Sequence, residues 1–417
     1  MALNESTPVT VHQHTGATST FASYPYGVTL SPDQAADEIL GTAVLSNGAE
    51  VVVTATVGLV ALPPGYIAKD TAAYTSVQVT TIDNGVATTN TLSFAAGADF
   101  LNRAYTSENL QVLGLTNGNY VIAETTVDDN IGPVNKNLYF EVLSSSGSVV
   151  TSWTQVNQTG SDASQNDDYQ LRATANGGFV VQFATNDAAN GYFQRFNASG
   201  ATTDSPVNFD NPGSNTVFSG GFAVDTGGDV AVSIPNPSGF DYQPSSIAIY
   251  SSSDAQLINE SWATAESGLV SEPTTPVIGG GTAAPVNSDS DLASIQALPS
   301  GGFLAVVTVP TGALDRTTGN FPGFDEYLQR ITVSGSTVTF DTPVLIEKIT
   351  TAAASGDVNL DPVVLSNGNI LLNIGGTYEI LNASELPTAN TGLASTTSVA
   401  SMTPAFNSGS PLPAGTT

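Results

Sequence analysis

The sequence predicts an all-β protein, and within that class a β-propeller of six four-stranded blades. Short apolar runs alternate with turns rich in Gly and Asn, one hairpin motif recurs six times, and a second extended run follows each copy. Gly and Asn tolerate the positive φ of tight hairpins, and β-branched and aromatic residues suit a half-buried sheet. Units of roughly 50–70 residues built from short strands are typical of a propeller. A seven-bladed ring is the first alternative, and an open β-solenoid or a string of β-sandwiches comes after it.

The hairpin motif is clearest at 174–184, where TANGGFVVQFA places a turn before an apolar strand. Equivalent runs lie at 45–57, 115–127, 225–234, 298–309 and 365–374. The sequence aligns the turn glycines as Gly48, Gly118, Gly177, Gly227, Gly301 and Gly368.

The second extended run ends in a polar turn and is nine residues long in every unit. Its copies lie at 77–85, 139–147, 192–200, 246–254, 327–335 and 377–385. An aromatic residue follows in five units, namely Phe94, Trp153, Phe209, Trp262 and Phe340. Each unit therefore predicts a four-stranded antiparallel meander. Arg195 and Arg330 occupy equivalent positions in the third strand, which indicates a repeated structural role such as a hydrogen bond between blades.

The domain boundaries follow from these repeats. Residues 1–30 form an N-terminal segment whose strand, around Pro8 to His14, is expected to close the ring, and 31–385 form the propeller. Residues 263–292 are a Gly/Pro/Thr-rich surface insertion, and 386–417 are an uncharged tail rich in Ser, Thr, Ala and Pro.

Charge and composition exclude several function classes. The chain has 37 acidic and 8 basic residues, a net charge of −29, so nucleic-acid binding is excluded and adhesion to anionic membranes is disfavoured. No run of 18 apolar residues predicts membrane insertion, and no N-terminal signal peptide is visible. The absence of Cys excludes disulfides and thiolate chemistry. The only histidines, His12 and His14, lie together near the N-terminus, which disfavours a Ser-His-Asp triad.

Acidic clusters in turns predict Ca²⁺ as the one cofactor the chain could use, because Ca²⁺ binds carboxylate, amide and backbone oxygens. The candidate ligands are Asp128, Asp129, Asn130, Asp289 and Asp291, with further acidic pairs at Asp167-Asp168 and Asp325-Glu326. None has the spacing of an EF-hand, and a solvated acidic surface without metal is the alternative.

Aromatic residues in the variable loops predict glycan binding, because exposed aromatic rings stack on sugars. The candidates are Tyr66, Phe240, Tyr242, Phe321 and Phe324, with the carboxylates Asp325 and Glu326 in the same loop region, 310–326. Glycoside hydrolysis needs two carboxylates on opposite sides of the bond, and Asp315, Asp325 and Glu326 could supply them. The alternative is that these aromatics pack their own loops.

The pattern LxxGGFVV…YFQRFNASG resembles degenerate repeats of large secreted bacterial surface proteins that are associated with hemolysin-type calcium-binding modules. The match is best at 174–200 and 298–335, and the glycine-rich calcium nonapeptide of that family is absent. The resemblance implies an extracellular or cell-surface protein, exported by an uncleaved C-terminal signal.

These observations favour a non-enzymatic surface or assembly protein, such as an adhesion, surface-layer or virion-spike module. Its partners would be glycan or neighbouring protein subunits, including copies of itself in an oligomer or array. The alternative is a polysaccharide-degrading propeller enzyme that uses loop carboxylates.

Overall fold

The structure is a computed structural model in which the β-sheets are described and many of the connecting segments are not. The described residues are 38–59, 72–92, 110–128, 135–156, 169–184, 191–209, 221–234, 246–261, 291–310, 323–341, 343–349, 362–365, 367–374 and 377–381. Every regular element in these ranges is a strand, which confirms the all-β class. The chain divides into two compact units, Met1–Val217 and Phe218–Thr417.

The first unit contains three antiparallel sheets of four strands each. Sheet 1 consists of β1 (Glu38–Val44), β2 (Glu50–Leu59), β3 (Ala72–Asp83) and β4 (Val86–Thr91). Sheet 2 consists of β5 (Gln111–Gly114), β6 (Tyr120–Asp128), β7 (Asn135–Leu143) and β8 (Val149–Gln155). Sheet 3 consists of β9 (Tyr169–Ala173), β10 (Phe179–Ala184), β11 (Gly191–Phe196) and β12 (Val207–Asn208).

The second unit also contains three antiparallel sheets. Sheet 4 consists of β13 (Phe222–Val224), β14 (Val230–Ile234), β15 (Ser246–Tyr250) and β16 (Gln256–Ser261). Sheet 5 consists of β17 (Asp291–Ala297), β18 (Phe303–Pro310), β19 (Phe324–Ser334), β20 (Thr337–Phe340) and β21 (Val344–Ile349). Sheet 6 consists of β22 (Val363–Val364), β23 (Ile370–Ile374) and β24 (Thr377–Leu381).

Each sheet is a meander in sequence order, and each predicted repeat corresponds to one sheet. Sheet 5 departs from the four-strand pattern because β20 and β21 both pair with β19, at different ends of that long strand. Pro343 lies between β20 and β21, and a proline has no N–H to continue a ladder. The predicted fourth strand is therefore present in sheet 5 but interrupted.

The hairpin turns follow one pattern. In sheet 1 the N–H of Gly48 donates to the carbonyl of Leu45, and Asn47 Oδ1 accepts from the N–H of Ala49. Gly48 has φ of 85°, a conformation that favours glycine. In sheet 4 the equivalent glycine is Gly228, with φ of 85°, so the alignment on Gly227 was wrong by one residue.

Sheets within a unit pack face to face because alternate residues on both sides of their strands are apolar. Between sheets 1 and 2, Val51 and Val53 pack in one cluster with Tyr120 and Ile122. The opposite side of sheet 2 packs on sheet 3, where Phe140 meets Phe179 with ring centroids 5.1 Å apart. Comparable clusters join sheet 4 to sheet 5 and sheet 5 to sheet 6. Burial of both faces of consecutive meanders is propeller-like packing.

Several sequence predictions fall outside the described residues or need correction. The ring-closing strand of residues 1–30 and the tail 386–417 lie outside them. The predicted insertion 263–292 extends too far, because β17 begins at Asp291. Arg330 Nε donates to Asp341 Oδ2 at 2.7 Å within sheet 5, which places this hydrogen bond inside one sheet instead of between two. In the described part of the chain no helix is long and apolar enough to span a membrane.

Candidate active site on the fifth sheet

The residues predicted to bind glycan are distributed unevenly over the structure. Tyr66, Phe240, Tyr242 and Phe321 lie outside the described residues. Phe324 begins β19, pairs in register with Pro310 and Ile349, and is only 1% exposed. A ring this buried cannot stack on a sugar, so the structure contradicts the assignment of Phe324 as a binding platform and places it in the core.

Asp325 and Glu326 belong to strand β19, not to the preceding loop where the sequence placed them. Their side chains alternate across the sheet, as successive strand residues do. Asp325 is half-buried, and the Tyr327 hydroxyl donates to its Oδ2 atom at 3.5 Å. Glu326 is 1% exposed. The two carboxylates therefore do not act on the same side of the sheet.

Glu326 shares its side of the sheet with a second carboxylate that the sequence analysis did not identify. The pairing of β19 with β21 places Glu326 directly across from Glu347, which is half-buried. Directly opposed residues in antiparallel strands have Cβ atoms about 4.5–5.5 Å apart. The two carboxyl-bearing side chains are therefore neighbours on one side of sheet 5.

A hydroxyl group extends this row across the sheet. Thr308 on β18 pairs with Glu326 on its other side, and its Oγ1 atom is buried without a hydrogen-bond partner in the structure. Asp291 on β17 occupies the register position across from Thr308. Four adjacent strands thus carry oxygen-bearing residues at one level: Asp291, Thr308, Glu326 and Glu347.

The calcium candidates receive no support from this geometry and stay a prediction. Asp128 ends β6 and Asp291 begins β17, whereas Asp129, Asn130 and Asp289 lie outside the described residues. Within the described ranges, no three His, Cys, Asp or Glu residues are grouped closely enough to hold a metal ion.

Sheet 2 carries another pair of carboxyls that the sequence analysis missed. Glu124 and Glu141 are 1% and 3% exposed and lie on the side of the sheet that packs against sheet 1. Burial raises the pKa of Glu124 well above its usual range and raises the pKa of Glu141 to about 7. Both carboxyls of this pair are buried, whereas Glu347 is half-buried, so Glu326 and Glu347 are the better candidates for catalysis.

Comparison with known proteins gives structural neighbours but no family. No protein-family model matches the chain, and neither does any curated protein. Solved structures with some similarity include an exo-β-1,3-galactanase from Phanerochaete chrysosporium with β-1,3-galactotriose, at 13% identity and a TM-score of 0.31 over 78% of this chain and 75% of that one. Another is an exo-β-1,3-galactanase from Clostridium thermocellum, at 11% identity and a TM-score of 0.31 over 84% and 75%. A third is the endo-arabinase of Bacteroides thetaiotaomicron, at 12% identity and a TM-score of 0.30 over 72% and 94%.

These neighbours correct the functional expectation. All three are named as glycan-cleaving enzymes, which contradicts the expected non-enzymatic surface or assembly protein and agrees better with the alternative of a polysaccharide-degrading enzyme. The resemblance to hemolysin-type repeats finds no support in the comparisons. At these identities and TM-scores the similarity assigns no activity, substrate or residue role to this chain.

Proposed function

We propose that the protein is a glycoside hydrolase that cleaves polysaccharide with Glu326 and Glu347 as its two carboxylates. The observation that carries the proposal is their direct opposition on β19 and β21. Hydrolysis of a glycosidic bond needs one carboxyl group to protonate the leaving oxygen and a second to act as nucleophile or base. A polymeric substrate is consistent with the expected extracellular location.

The spacing of the two strands favours a retaining mechanism. Retaining enzymes hold their carboxyl groups about 5–5.5 Å apart, whereas inverting enzymes need about 6.5–9.5 Å to admit a water molecule. Directly opposed strand positions hold the two Cβ atoms about 4.5–5.5 Å apart, from where the carboxyl groups can reach the shorter range. Glu347 is half-buried and therefore the more accessible of the two, whereas Glu326 beside it on β19 is buried.

Asp325 is not one of the two proposed catalytic carboxylates. It lies on the other side of β19, next to the Tyr327 hydroxyl, and its backbone neighbour is Glu326. We assign it a positioning role for the start of β19. Its replacement should lower kcat by less than replacement of either glutamate.

The test is hydrolysis of a polysaccharide panel that includes β-1,3-galactan and arabinan, followed by product analysis. The wild type should release reducing sugar with retention of anomeric configuration, detected by NMR. Glu326→Gln and Glu347→Gln should each reduce kcat by at least about 100-fold without loss of folding. Asp325→Asn should have a smaller effect.

Glu50→Gln is the matched control, because Glu50 is a half-buried glutamate on β2 in sheet 1, in the other compact unit. It should leave kcat unchanged. Wild-type protein that cleaves no polymer of the panel would refute the proposed activity. Full activity in both glutamate variants would reject this carboxylate pair.

A further inference from the structure

The packed layer between sheets 1 and 2, called here the first layer, contains carboxyl groups at core positions. Glu124 on β6 and Glu141 on β7 occupy it together with Tyr120, Ile122 and the valines of β2 and β3. Glu141 pairs with Ile122, and Glu124 lies two residues beyond Ile122 on the same side of β6. The two carboxyls are therefore diagonal neighbours across adjacent strands.

Neither carboxyl has the partners that a buried charge requires. Both Oε atoms of Glu124 and the Oε2 atom of Glu141 are buried without a hydrogen bond in the structure. The hydroxyls of Tyr120 and Thr81, in the same layer, also lack hydrogen-bond geometry to any partner there. An ionised carboxylate in such a place is strongly unfavourable, and the group becomes neutral instead.

Most of the other repeats carry neutral residues at both positions. The equivalents of Glu141 pair with the fourth residue after the turn glycine. In sheets 1, 3 and 5 they are Thr80, Gln194 and Gln329, all buried. Sheet 4 has Ala248 there, and sheet 6 departs from the pattern with Glu379. Gln329 Nε2 donates to the carbonyl of Asp341 at 2.8 Å. A protonated glutamic acid has the shape of glutamine with an O–H in place of an N–H. The equivalents of Glu124, the sixth residue after that glycine, are Thr54, Phe183, Ile234 and Val307.

Among the described strands β1–β8 the single basic residue is Lys136, whose register position is across from Val127. The other titratable positions of these strands around the layer are acidic or phenolic. They are Glu38 across from Ala55 on β1–β2, exposed Asp83 at the end of β3, Tyr120 and Asp128 on β6, and Tyr139 across from Glu124 on β7.

We propose that Glu124 and Glu141 make the packing of the first layer depend on pH. The layer packs tightly only while both carboxyls are protonated, and it loosens as pH rises above neutral. This pH dependence is independent of the proposed catalytic pair, which lies in the other compact unit. It makes the folded protein most stable in acidic surroundings.

The sign of the pH dependence follows from proton binding. Burial raises the pKa of Glu141 from 4.5 to about 7 and raises that of Glu124 further above its usual range, so the folded chain holds protons that the unfolded chain has released. Stability then falls as pH rises from about 4.5 through about 7 and continues to fall while Glu124 stays protonated.

The test is thermal unfolding of the full chain between pH 5.5 and 8.5. The wild-type Tm should fall by roughly 5–10 °C over this range. Glu141→Gln introduces the residue type that sheets 3 and 5 have at this position, and it should make the Tm depend less on pH. The double variant Glu124→Gln/Glu141→Gln should reduce the dependence of Tm on pH further. Glu50→Gln, across from Ile82 on the other side of sheet 1, should leave it unchanged.

Amide hydrogen exchange tests the same loosening in the wild-type protein and does not require a variant that folds well. In the wild type, amides of β6 and β7 should exchange faster at pH 8.5 than at pH 5.5 after correction for intrinsic rates, while those of β18 and β19 should not. Equal slopes of Tm in wild type and double variant would overturn the proposal. So would a rise in Tm with added Ca²⁺ at pH 8.5 that disappears in the double variant, since a bound cation would then hold the carboxylates.

Discussion

The Oδ2 atom of Asp225 accepts a 2.7 Å hydrogen bond from the backbone N–H of Gly302, which lies 77 residues further along the chain. Its Oδ1 atom accepts from the N–H of Asp229 at 2.9 Å. In sheets 1, 2, 3 and 6 an asparagine of the turn performs this role within its own hairpin. Sheets 4 and 5 have Gly227 and Ser300 at that position. One carboxylate thus caps two neighbouring turns.

Replacement of Asp225 by Asn should destabilise the protein by about 1–3 kcal/mol, because an amide presents only one acceptor atom to two N–H groups. The side chain is 5% exposed, so water cannot substitute freely. Chemical denaturation monitored by tryptophan fluorescence would measure the loss. Asp83→Asn, at an exposed turn of sheet 1, is the control and should change stability by less than about 0.5 kcal/mol. Equal effects of the two substitutions would show that the double cap has no energetic importance.

Gly302 itself should tolerate no side chain. It has φ of 74°, and a Cβ atom placed on it would lie 2.3 Å from the carbonyl oxygen of Ile331. Gly48 has φ of 85° with nothing within 4 Å of an added Cβ, so it isolates the cost of the backbone conformation. Gly48→Ala should cost about 1–2 kcal/mol, and Gly302→Ala should cost roughly 1–3 kcal/mol more because the steric conflict is added. Similar values from denaturant unfolding would mean that β19 shifts without penalty to accept the methyl group.

Local signals explain why the hairpins could be predicted from sequence. Turn asparagines and glycines, followed by alternating apolar residues, act within about ten residues, so all six hairpins were located. In sheet 4 the turn glycine was misassigned because Gly227 and Gly228 are adjacent and either could adopt positive φ. The pairing of β19 with β21 is set by register over a longer separation, so the opposition of Glu326 and Glu347 could not be predicted.

The burial of Glu124 could not be predicted from the sequence for a different reason. Glu124 belongs to the run Glu124–Thr126, whose polar side chains read locally as the exposed end of a strand. Only the packing of sheet 1 on sheet 2 removes Glu124 from solvent. Comparison across the repeats provides a usable signal, since the equivalent positions in sheets 3, 4 and 5 are the apolar Phe183, Ile234 and Val307.

Tyr120 should make stability depend on pH in the alkaline range. It is fully buried, and burial raises its pKa to about 12, with the charge of Glu141 acting in the same direction and Thr81 opposing it. The unfolded phenol ionises near pH 10, so the folded state retains a proton that the unfolded state loses, and stability falls as pH rises from about 10 to about 12.

Tyr120→Phe should remove this part of the alkaline loss, because phenylalanine has no proton to release. Its advantage over the wild type should grow by roughly 1–2 kcal/mol between pH 9 and pH 11.5, measured by urea unfolding. At pH 7 the substitution should be neutral or mildly stabilising, since the buried hydroxyl has no hydrogen-bond partner in the structure. Tyr192→Phe, at a half-buried phenol of sheet 3, is the control. A loss of more than about 1 kcal/mol at pH 7 would instead indicate that the hydroxyl makes a hydrogen bond in solution, most directly with Thr81.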